Sequence, residues 1–230
     1  MKYKHVFFDL DGTLWDFETN SYETLLELCT SYALNEKGIL DYEEFIEIYK
    51  IHNAQLWDLY NVDKISQKDL RRERFQRALS EFGIDDFKLS ESIGETYISI
   101  CPKKNKLFPY SFEVLNYLKT KYHLHIITNG FDKTQHIKLE HSNLTSYFNH
   151  IITSEKTGFK KPNPLIFSHA LELANANSDE SIYIGDNLIV DILACQNSGI
   201  DGIYFNPKKK QHNDNVKFEI SCLSQILEIL

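Results

Sequence analysis

Residues 5–14 constrain the fold more than any other part of the chain. The stretch begins with bulky apolar residues that favour a short buried strand, and two carboxylates, Asp9 and Asp11, follow it directly. Burying an isolated carboxylate is costly, so two acids at the end of a core strand need partners. Gly12 permits a sharp turn, and Thr13 adds a hydroxyl. This order is typical of an active-site strand end in an open α/β sheet, where ligands lie beyond the carboxyl ends of the strands.

Length, charge and cysteine content exclude several classes of protein. The chain has 230 residues and a formal net charge of −8, which fits one large domain or a domain with an insert and argues against a nucleic-acid polymer as partner. The basic run 208–210 is expected to be a solvated loop. No apolar run reaches the length of a membrane span, and acids interrupt the first one, so neither a membrane partner nor a signal peptide is expected. Scattered cysteines without a Cys-x-x-Cys pair predict free thiols and a cytoplasmic location.

Helical patterns fill residues 18–102, with no convincing strand among them. Asp41 and Ser66 each precede an apolar helical pattern and have an acid three residues later, which predicts helix N-caps, and Gly83 predicts a helix end. One of these helices carries a row of arginines at positions 71, 72, 74 and 77. We expect this row to face water mostly, the alternative being a grip on a substrate phosphate.

Strand patterns alternate with helical patterns in the second half of the chain. Strands are predicted near residues 124–128, 151–153, 181–185 and 203–205. Such alternation predicts an α/β fold with a doubly wound parallel sheet, because parallel neighbours need helical crossovers. The Rossmann-like core then comprises residues 1–17 and 103–230, and the all-helical residues 18–102 form a cap domain inserted after the first strand.

Polar side chains follow the strands of the second half. They are Thr128, Asn129, Lys161, Asp186 and Asp191. Because the carboxyl ends of parallel strands meet at one edge of a sheet, these residues are expected to lie near the two acids of the first strand. Clustered carboxylates repel one another, so a divalent cation is needed, and an all-oxygen ligand set suits Mg²⁺. A lysine and a metal beside an electrophile suit a phosphoryl group.

Four short motifs together resemble the haloacid dehalogenase superfamily, in its phosphatase branch with a helical cap after the first strand. In chain order they are Asp9-x-Asp11-Gly12-Thr13, Thr128-Asn129, Lys161-Pro162, and Gly185-Asp186 with Asp191. The resemblance extends over the whole chain, although in the cap only through its helical character. The segments Gly-Phe-Lys-Lys-Pro-Asn-Pro-x-Ile-Phe and Gly-Asp-Asn-x-x-x-Asp-Ile are more specifically similar to the bacterial pyrimidine 5′-nucleotidase group.

The resemblance implies a role for each acid. Asp9 would be the nucleophile that forms an aspartyl-phosphate. Asp11 would protonate the leaving alkoxide and later activate the hydrolytic water. The metal, Mg²⁺, would be held by a carboxylate oxygen of Asp9, the backbone carbonyl of Asp11 and the carboxylate of Asp186. Asp191 would support the site near Lys161 or a metal-bound water without touching the substrate.

The remaining motif residues have implied roles around the phosphate. The hydroxyl of Thr128 and the amide of Asn129 would hold its oxygens, Lys161 would balance charge between nucleophile and phosphate, and Thr13 would support the metal site from behind. Plain structural alternatives exist as well: Asp9 as a strand-end cap, Thr128 as a turn residue, Lys161 as a surface lysine, and Asp191 as a charge at a helix N-terminus.

The resemblance implies a small phosphorylated metabolite, a nucleoside 5′-monophosphate of the pyrimidine type, as substrate. The alternative is a small organic phosphate such as phosphoglycolate or a sugar phosphate. A phosphomutase, a haloacid dehalogenase and a non-catalytic nucleotide-binding protein share the fold, but the acid at position 11 and the Gly-Asp pair disfavour the dehalogenase. Trp15 and Phe17 could pack against a bound base or serve ordinary packing.

Overall fold

The structure is a computed structural model that describes residues 2–230. Within these residues the protein has a sheet of six parallel strands. The strands are β1 His5–Phe8, β2 His123–Thr128, β3 His150–Thr153, β4 Ser181–Gly185, β5 Asp201–Phe205 and β6 Phe218–Ile220. Their spatial order is β3-β2-β1-β4-β5-β6, and every neighbouring pair is parallel. This confirms the predicted doubly wound sheet, and the strand order reverses beside β1, where such folds bind ligands.

Helices occupy each connection from β1 to β5, whereas residues 206–217 join β5 to β6 without a helix. The helices are α1 Phe17–Ser31, α2 Tyr42–Asn61, α3 Gln67–Ser80, α4 Phe87–Ile100, α5 Ser111–Leu118, α6 Asp132–His141, α7 Ser154–Thr157, α8 Pro164–Ala174 and α9 Ala194–Asn197. Short 3₁₀ turns occupy Leu34–Lys37, Cys101–Lys103, Thr145–Tyr147, Ser178–Glu180 and Leu223–Glu228, and Leu188–Leu193 is π-helical.

The helix ends follow from local side-chain chemistry. The Asp41 carboxylate accepts hydrogen bonds from the first-turn amides of α2, and Ser66 and Asp69 form a reciprocal capping box at the start of α3. Gly83, beyond the end of α3, has a φ of +72°. These three predicted helix signals are confirmed.

The chain divides into two compact units. One comprises the residues up to Phe17 with Asn105–Leu230, and the other is Glu18–Lys104. Every residue of 18–104 is described, and none belongs to a strand. The cap role of this helical unit stays a prediction.

The core of the sheet unit explains why β1 has a continuous apolar sequence. All four β1 residues are buried, as expected of a parallel strand that is covered on both faces. On one face, Phe7 lies in a cluster with Ile127 of β2, Tyr183 of β4 and Phe167 of α8. Fully burying one such side chain contributes about 1.5–3 kcal/mol, so these contacts fix the strand end that carries Asp9.

The arginine row of α3 is not uniformly exposed. Arg72 and Arg77 are partly exposed and pair with Glu73. Arg74 is only 6% exposed, and its guanidinium lies 4.6 Å from the ring centre of Tyr97. The expectation of a solvent-facing row was therefore wrong for Arg74, because an aromatic ring stabilises its charge inside the helical unit.

Among residues 2–230, no helix combines the length and the apolar character that crossing a membrane requires.

Candidate active site

Three neighbouring strands deliver the polar residues that the sequence singled out. Phe8 of β1 pairs with Ile126 of β2 and Ile184 of β4. Thr128 follows Ile126 by two positions, and Asp186 likewise follows Ile184 by two positions. The backbone amide of Asp9 donates to Ile184 and extends the ladder past β1. The structure thus brings the ends of β1, β2 and β4 together at one edge of the sheet.

Lys161 is the centre of a buried charged cluster. Its Nζ lies 2.6 Å from Asp9 Oδ1, 2.6 Å from Asp191 Oδ1 and 2.9 Å from the Tyr183 hydroxyl oxygen. The side chains of Lys161, Asp9 and Asp191 are 3%, 8% and 2% exposed. The interpretation of Lys161 as a surface lysine is therefore wrong.

Asn129 fixes the loop that carries Lys161. Its side-chain amide donates to the carbonyl oxygen of Lys161 at 2.8 Å, and its Oδ1 accepts from the Lys161 amide at 2.8 Å. This paired contact joins the end of β2 to the segment after β3. The predicted role of the Asn129 backbone amide toward a phosphate stays a prediction.

Burial and charge act in opposite directions on the lysine. Burial lowers the pKa of Lys161, but the negative charges of Asp191 and Asp9 outweigh it, so the pKa is raised overall and the ammonium form is favoured. Burial raises the pKa of Asp9; the Lys161 charge opposes this shift, and the carboxylates at positions 191, 186 and 11 add to it. One lysine therefore does not neutralise all the acids of this cluster.

Asp186 completes the acidic side of the site. Burial raises its pKa to about 7, and the charge of Asp191 contributes in the same direction. The hydroxyl of Thr13 lies 3.4 Å from Asp186 Oδ1, which is a long contact, and its role in supporting the metal site stays a prediction. A Cβ on Gly12 would lie 2.5 Å from Asp186 Oδ2, so only glycine lets the β1 turn approach this carboxylate.

The carboxylates can accommodate a cation. Asp9, Asp186 and Asp191 each offer an oxygen, and these oxygens all lie within 4.8 Å of one another. Hard oxygen ligands at this spacing fit Mg²⁺, and a divalent charge would offset the burial and the neighbouring negative charges that raise the pKa values of Asp9 and Asp186. Asp191 contacts Lys161 and Tyr183 through Oδ1 and accepts from the Asn187 amide through Oδ2, so both of its oxygens already have partners. The choice of Asp9 and Asp186 as the metal ligands stays a prediction.

A π-helical turn places Asp191 beside Lys161. The amide of Ile192 reaches back five residues to the carbonyl of Asn187, and the Asn187 side chain caps the turn. Asp191 Oδ2 in turn accepts from the Asn187 amide at 3.0 Å. Such wide turns often occur at functional sites, and this one aims the Asp191 carboxylate inward.

Asp11 lies apart from the lysine cluster and contacts helix α6. Its Oδ1 is 2.5 Å from Lys138 Nζ, and its Oδ2 accepts from Gln135 Nε2 at 2.8 Å. The same Gln135 nitrogen donates to Thr128 Oγ1 at 2.6 Å. The structure therefore links Asp11 to Thr128 through Gln135.

Three residues at the site were not predicted from the sequence: Gln135, Lys138 and Tyr183. The first two are polar residues three positions apart, on one face of the helix that follows the Thr128-Asn129 motif, and that spacing could have revealed them. Tyr183 lies within an apolar strand pattern, and nothing in that pattern indicates that its hydroxyl reaches the site.

Trp15 belongs to the packing of the sheet unit. It is fully buried, and the Lys138 ammonium lies 4.4 Å from its ring centre. Of the two interpretations left open for Trp15, this geometry favours packing.

Comparison with known proteins identifies the family. Residues 6–205 match the sequence profile of the haloacid dehalogenase-like hydrolases. This match covers most of the chain, so the protein belongs to that family of hydrolases, as its four motifs predicted.

Individual relatives match over the full length of the chain. The pyrimidine 5′-nucleotidase PynA of Streptococcus pneumoniae is 30% identical, covering 100% of this chain and 96% of the relative. The pyrimidine 5′-nucleotidase YjjG of Escherichia coli is 29% identical, covering 100% and 99%. The predicted similarity to this nucleotidase group is confirmed.

A solved structure shares the fold. The crystal structure of the HAD-hydrolase YfnB from Bacillus subtilis, described as bound to magnesium and revealing interdomain movement, superimposes with a TM-score of 0.89. It is 27% identical in sequence, with coverage of 100% of this chain and 99% of that one.

Proposed function

We propose that this protein is a Mg²⁺-dependent phosphomonoesterase that acts on pyrimidine nucleoside 5′-monophosphates through an aspartyl-phosphate on Asp9. The observation that carries the chemistry is the buried Asp9 beside Lys161, at the edge of the sheet where Thr128 and Asp186 also lie. The full-length similarity to PynA and YjjG supports the nucleotide.

In the first half-reaction, Asp9 attacks phosphorus. Lys161 binds Asp9 Oδ1, which leaves Oδ2 to form the new O–P bond. The bond between phosphorus and the ester oxygen breaks, and Asp11 gives its proton to the departing alkoxide. Thr128 and the amide of Asn129 hold the phosphoryl oxygens during the transfer.

In the second half-reaction, Asp11 takes a proton from a water molecule. The water oxygen bonds to phosphorus while the Asp9 O–P bond breaks, which regenerates the carboxylate and releases phosphate. Asp11 thus ends with the proton that the next cycle needs. Asp191 and Tyr183 keep Lys161 in place throughout.

The metal site belongs to the same edge of the sheet. Asp9, Asp186 and the backbone carbonyl of Asp11 would hold Mg²⁺, which supplies positive charge for the phosphoryl oxygens. Thr13 orients Asp186 from behind. Lys161, bound to Asp9 Oδ1, would supply a second positive charge beside the nucleophile.

Residues 18–102 act as a cap that selects the leaving group and excludes water. A small organic phosphate such as phosphoglycolate or a sugar phosphate remains the alternative substrate, because the same core chemistry serves any phosphomonoester. The cytoplasmic location stays a prediction, in accord with four cysteines that form no disulfide.

The test is phosphate release from a substrate panel, measured with Mg²⁺ and with EDTA. The panel contains UMP, dUMP, dTMP, purine monophosphates, phosphoglycolate and sugar phosphates. We expect Mg²⁺-dependent release with the highest kcat/KM for pyrimidine monophosphates. A preference for non-nucleotide esters would overturn the substrate assignment, and no release from any ester, or undiminished release in EDTA, would overturn the chemistry.

A further inference from the structure

Two buried polar residues of α6 contact the site without a role in the chemistry described so far. Gln135 is completely buried and Lys138 is 6% exposed. They lie three positions apart, almost one helical turn, and both face the end of β1. Lysine and glutamine side chains are rarely fully buried unless their polar atoms have interaction partners.

Asp11 has both carboxylate oxygens held by this pair. Lys138 Nζ contacts Oδ1 at 2.5 Å, and Gln135 Nε2 donates to Oδ2 at 2.8 Å. The Trp15 ring, 4.4 Å from the ammonium, helps to fix Lys138 in turn. Two donors on different oxygens determine the rotation of the carboxylate about its own axis.

Thr128 is oriented by the same glutamine. Its Oγ1 accepts from Gln135 Nε2 at 2.6 Å and from the Gly130 amide at 3.0 Å. A hydroxyl has two acceptor positions and one proton. With both acceptor positions used, the Thr128 proton is available for an incoming phosphoryl oxygen.

The surroundings of Gln135 indicate that these contacts are built into the site. A Cβ on Gly130 would overlap the Gln135 side-chain amide, so glycine at this position makes the close approach possible. Gln135 Oε1 is buried and has no hydrogen-bond partner within residues 2–230. An unpaired buried oxygen destabilises the fold, so stability alone does not explain the orientation of this amide.

We propose that Lys138 and Gln135 are positioning residues: Lys138 holds Asp11 for proton transfer to the leaving group, and Gln135 turns the Thr128 hydroxyl toward the phosphate. This inference rests on the proposed function. The two residues differ in what they affect. Lys138 acts on the leaving group through Asp11, whereas Gln135, which contacts both Asp11 and Thr128, also acts on the phosphoryl group that every substrate shares.

The test compares two esters with different needs for a proton. p-Nitrophenyl phosphate releases a stable phenolate, whereas UMP or phosphoglycolate, whichever the wild type hydrolyses faster, releases an alkoxide. Lys138→Met keeps the aliphatic stem on Trp15 and removes the ammonium. We expect its kcat/KM to fall about 10²-fold for the alkyl ester and less than about threefold for the aryl ester. Gln135→Leu should lower kcat/KM for both esters, with the larger loss for the alkyl ester because Gln135 also holds Asp11.

Further variants complete the experiment. Lys138→Arg should recover most of the alkyl-ester activity, and Lys133→Met, which changes an exposed lysine of the same helix, should match the wild type. On an Asp11→Asn background, Lys138→Met should cause no further loss, because its effect passes through Asp11. If Lys138→Met does not fold, Lys138→Gln is held to the same comparison.

Equal losses for both esters in an active enzyme, or a full additional loss on the Asp11→Asn background, would overturn the role of Lys138. A loss confined to the alkyl ester in Gln135→Leu would overturn the role of Gln135. A wild type that hydrolyses neither ester would instead refute the proposed function, and with it this inference.

Discussion

The Nζ atom of Lys161 lies 2.6 Å from Asp9 Oδ1, and both side chains are almost completely buried. Asp191 contacts the same ammonium on another side at 2.6 Å. The lysine therefore balances part of the charge that the end of β1 brings into the core. The buried acids of the site therefore depend on the Lys161 charge even before a substrate binds.

Replacing the lysine should destabilise the protein. Lys161→Met leaves Asp9 and Asp191 buried without their cation, and breaking a buried pair in this way costs about 3–5 kcal/mol. We expect that loss in the free energy of unfolding, measured by urea denaturation in EDTA. Lys133→Met, at an exposed position, should change it by less than about 0.5 kcal/mol. Equal stability of the two variants would show that the cluster is not charge-balanced by Lys161.

Mg²⁺ should stabilise the folded protein through Asp186. A ligand that binds only the folded state adds about 2.7 kcal/mol at a concentration one hundred times its Kd. We therefore expect thermal unfolding to shift upward with Mg²⁺, and Asp186→Asn to abolish the shift. Asp214→Asn, at an exposed acid, serves as the control and should retain it. A full Mg²⁺ shift in Asp186→Asn would place the cation elsewhere.

The metal site should need Gly12 both for its left-handed backbone conformation and because it lacks a Cβ beside Asp186. It has a φ of +86°, and a Cβ there would meet the Asp186 carboxylate at 2.5 Å. Gly83 has a φ of +72° with nothing within 4 Å of a Cβ, so Gly83→Ala carries the conformational cost alone. We expect Gly83→Ala to lose about 1–2 kcal/mol of stability, and Gly12→Ala to lose more because its Cβ also meets the Asp186 carboxylate. Only Gly12→Ala should also weaken Mg²⁺ binding in a titration, and similar Mg²⁺ affinities for both would contradict the close approach.

The parallel sheet and the edge that carries the site could be predicted because strands, helices and strand-end polar residues alternate along the sequence. The apolar run before Asp9 and the polar residues after each later strand are visible in the chain, and the topology of parallel sheets brings them together. Lys161 is the clearest case: its motif predicted the site, and the structure places it against Asp9.

Other elements depend on tertiary contacts that a sequence pattern does not contain. The apolar pattern of residues 188–198 predicts one helix, but the structure has a π-helical turn at Leu188–Leu193 followed by the short helix Ala194–Asn197. The strand Phe218–Ile220 was not predicted, since it is three residues long and defined by pairing with β5. The apolar pattern of residues 222–230 predicts a final helix, whereas the structure has a 3₁₀ turn at Leu223–Glu228.

Acid should destabilise the sheet through a stack of histidines. His125 is buried, its Nε2 lies 3.2 Å from His5 Nδ1, and its ring stacks on His150 at 5.3 Å. Burial, together with His5, His150 and His123, lowers the pKa of His125 to about 3. In the unfolded chain its pKa is about 6.5, so below that pH the unfolded state binds the proton that the folded state excludes.

The difference between the folded and unfolded pKa values of His125 predicts how far stability falls in acid. Stability is fully present above pH 6.5 and falls as the pH is lowered toward 3, with a loss of about 2 kcal/mol from His125 by pH 5. Urea unfolding at a series of pH values should show a shallower decline for His125→Phe than for the wild type. His169→Asn, at an exposed histidine, should follow the wild type. Parallel curves for all three would exclude His125 as the source.

The central claim is that an oxygen of Asp9 attacks phosphorus. The most direct measurement combines phosphate release with mass spectrometry of acid-quenched enzyme, for the wild type and Asp9→Asn with the best ester of the panel and Mg²⁺. The account predicts one phosphoryl group on the peptide that contains Asp9 in the wild type, and no turnover in Asp9→Asn although substrate binding remains measurable. Near-normal turnover by Asp9→Asn, or a phosphoryl group on a different residue, would contradict it.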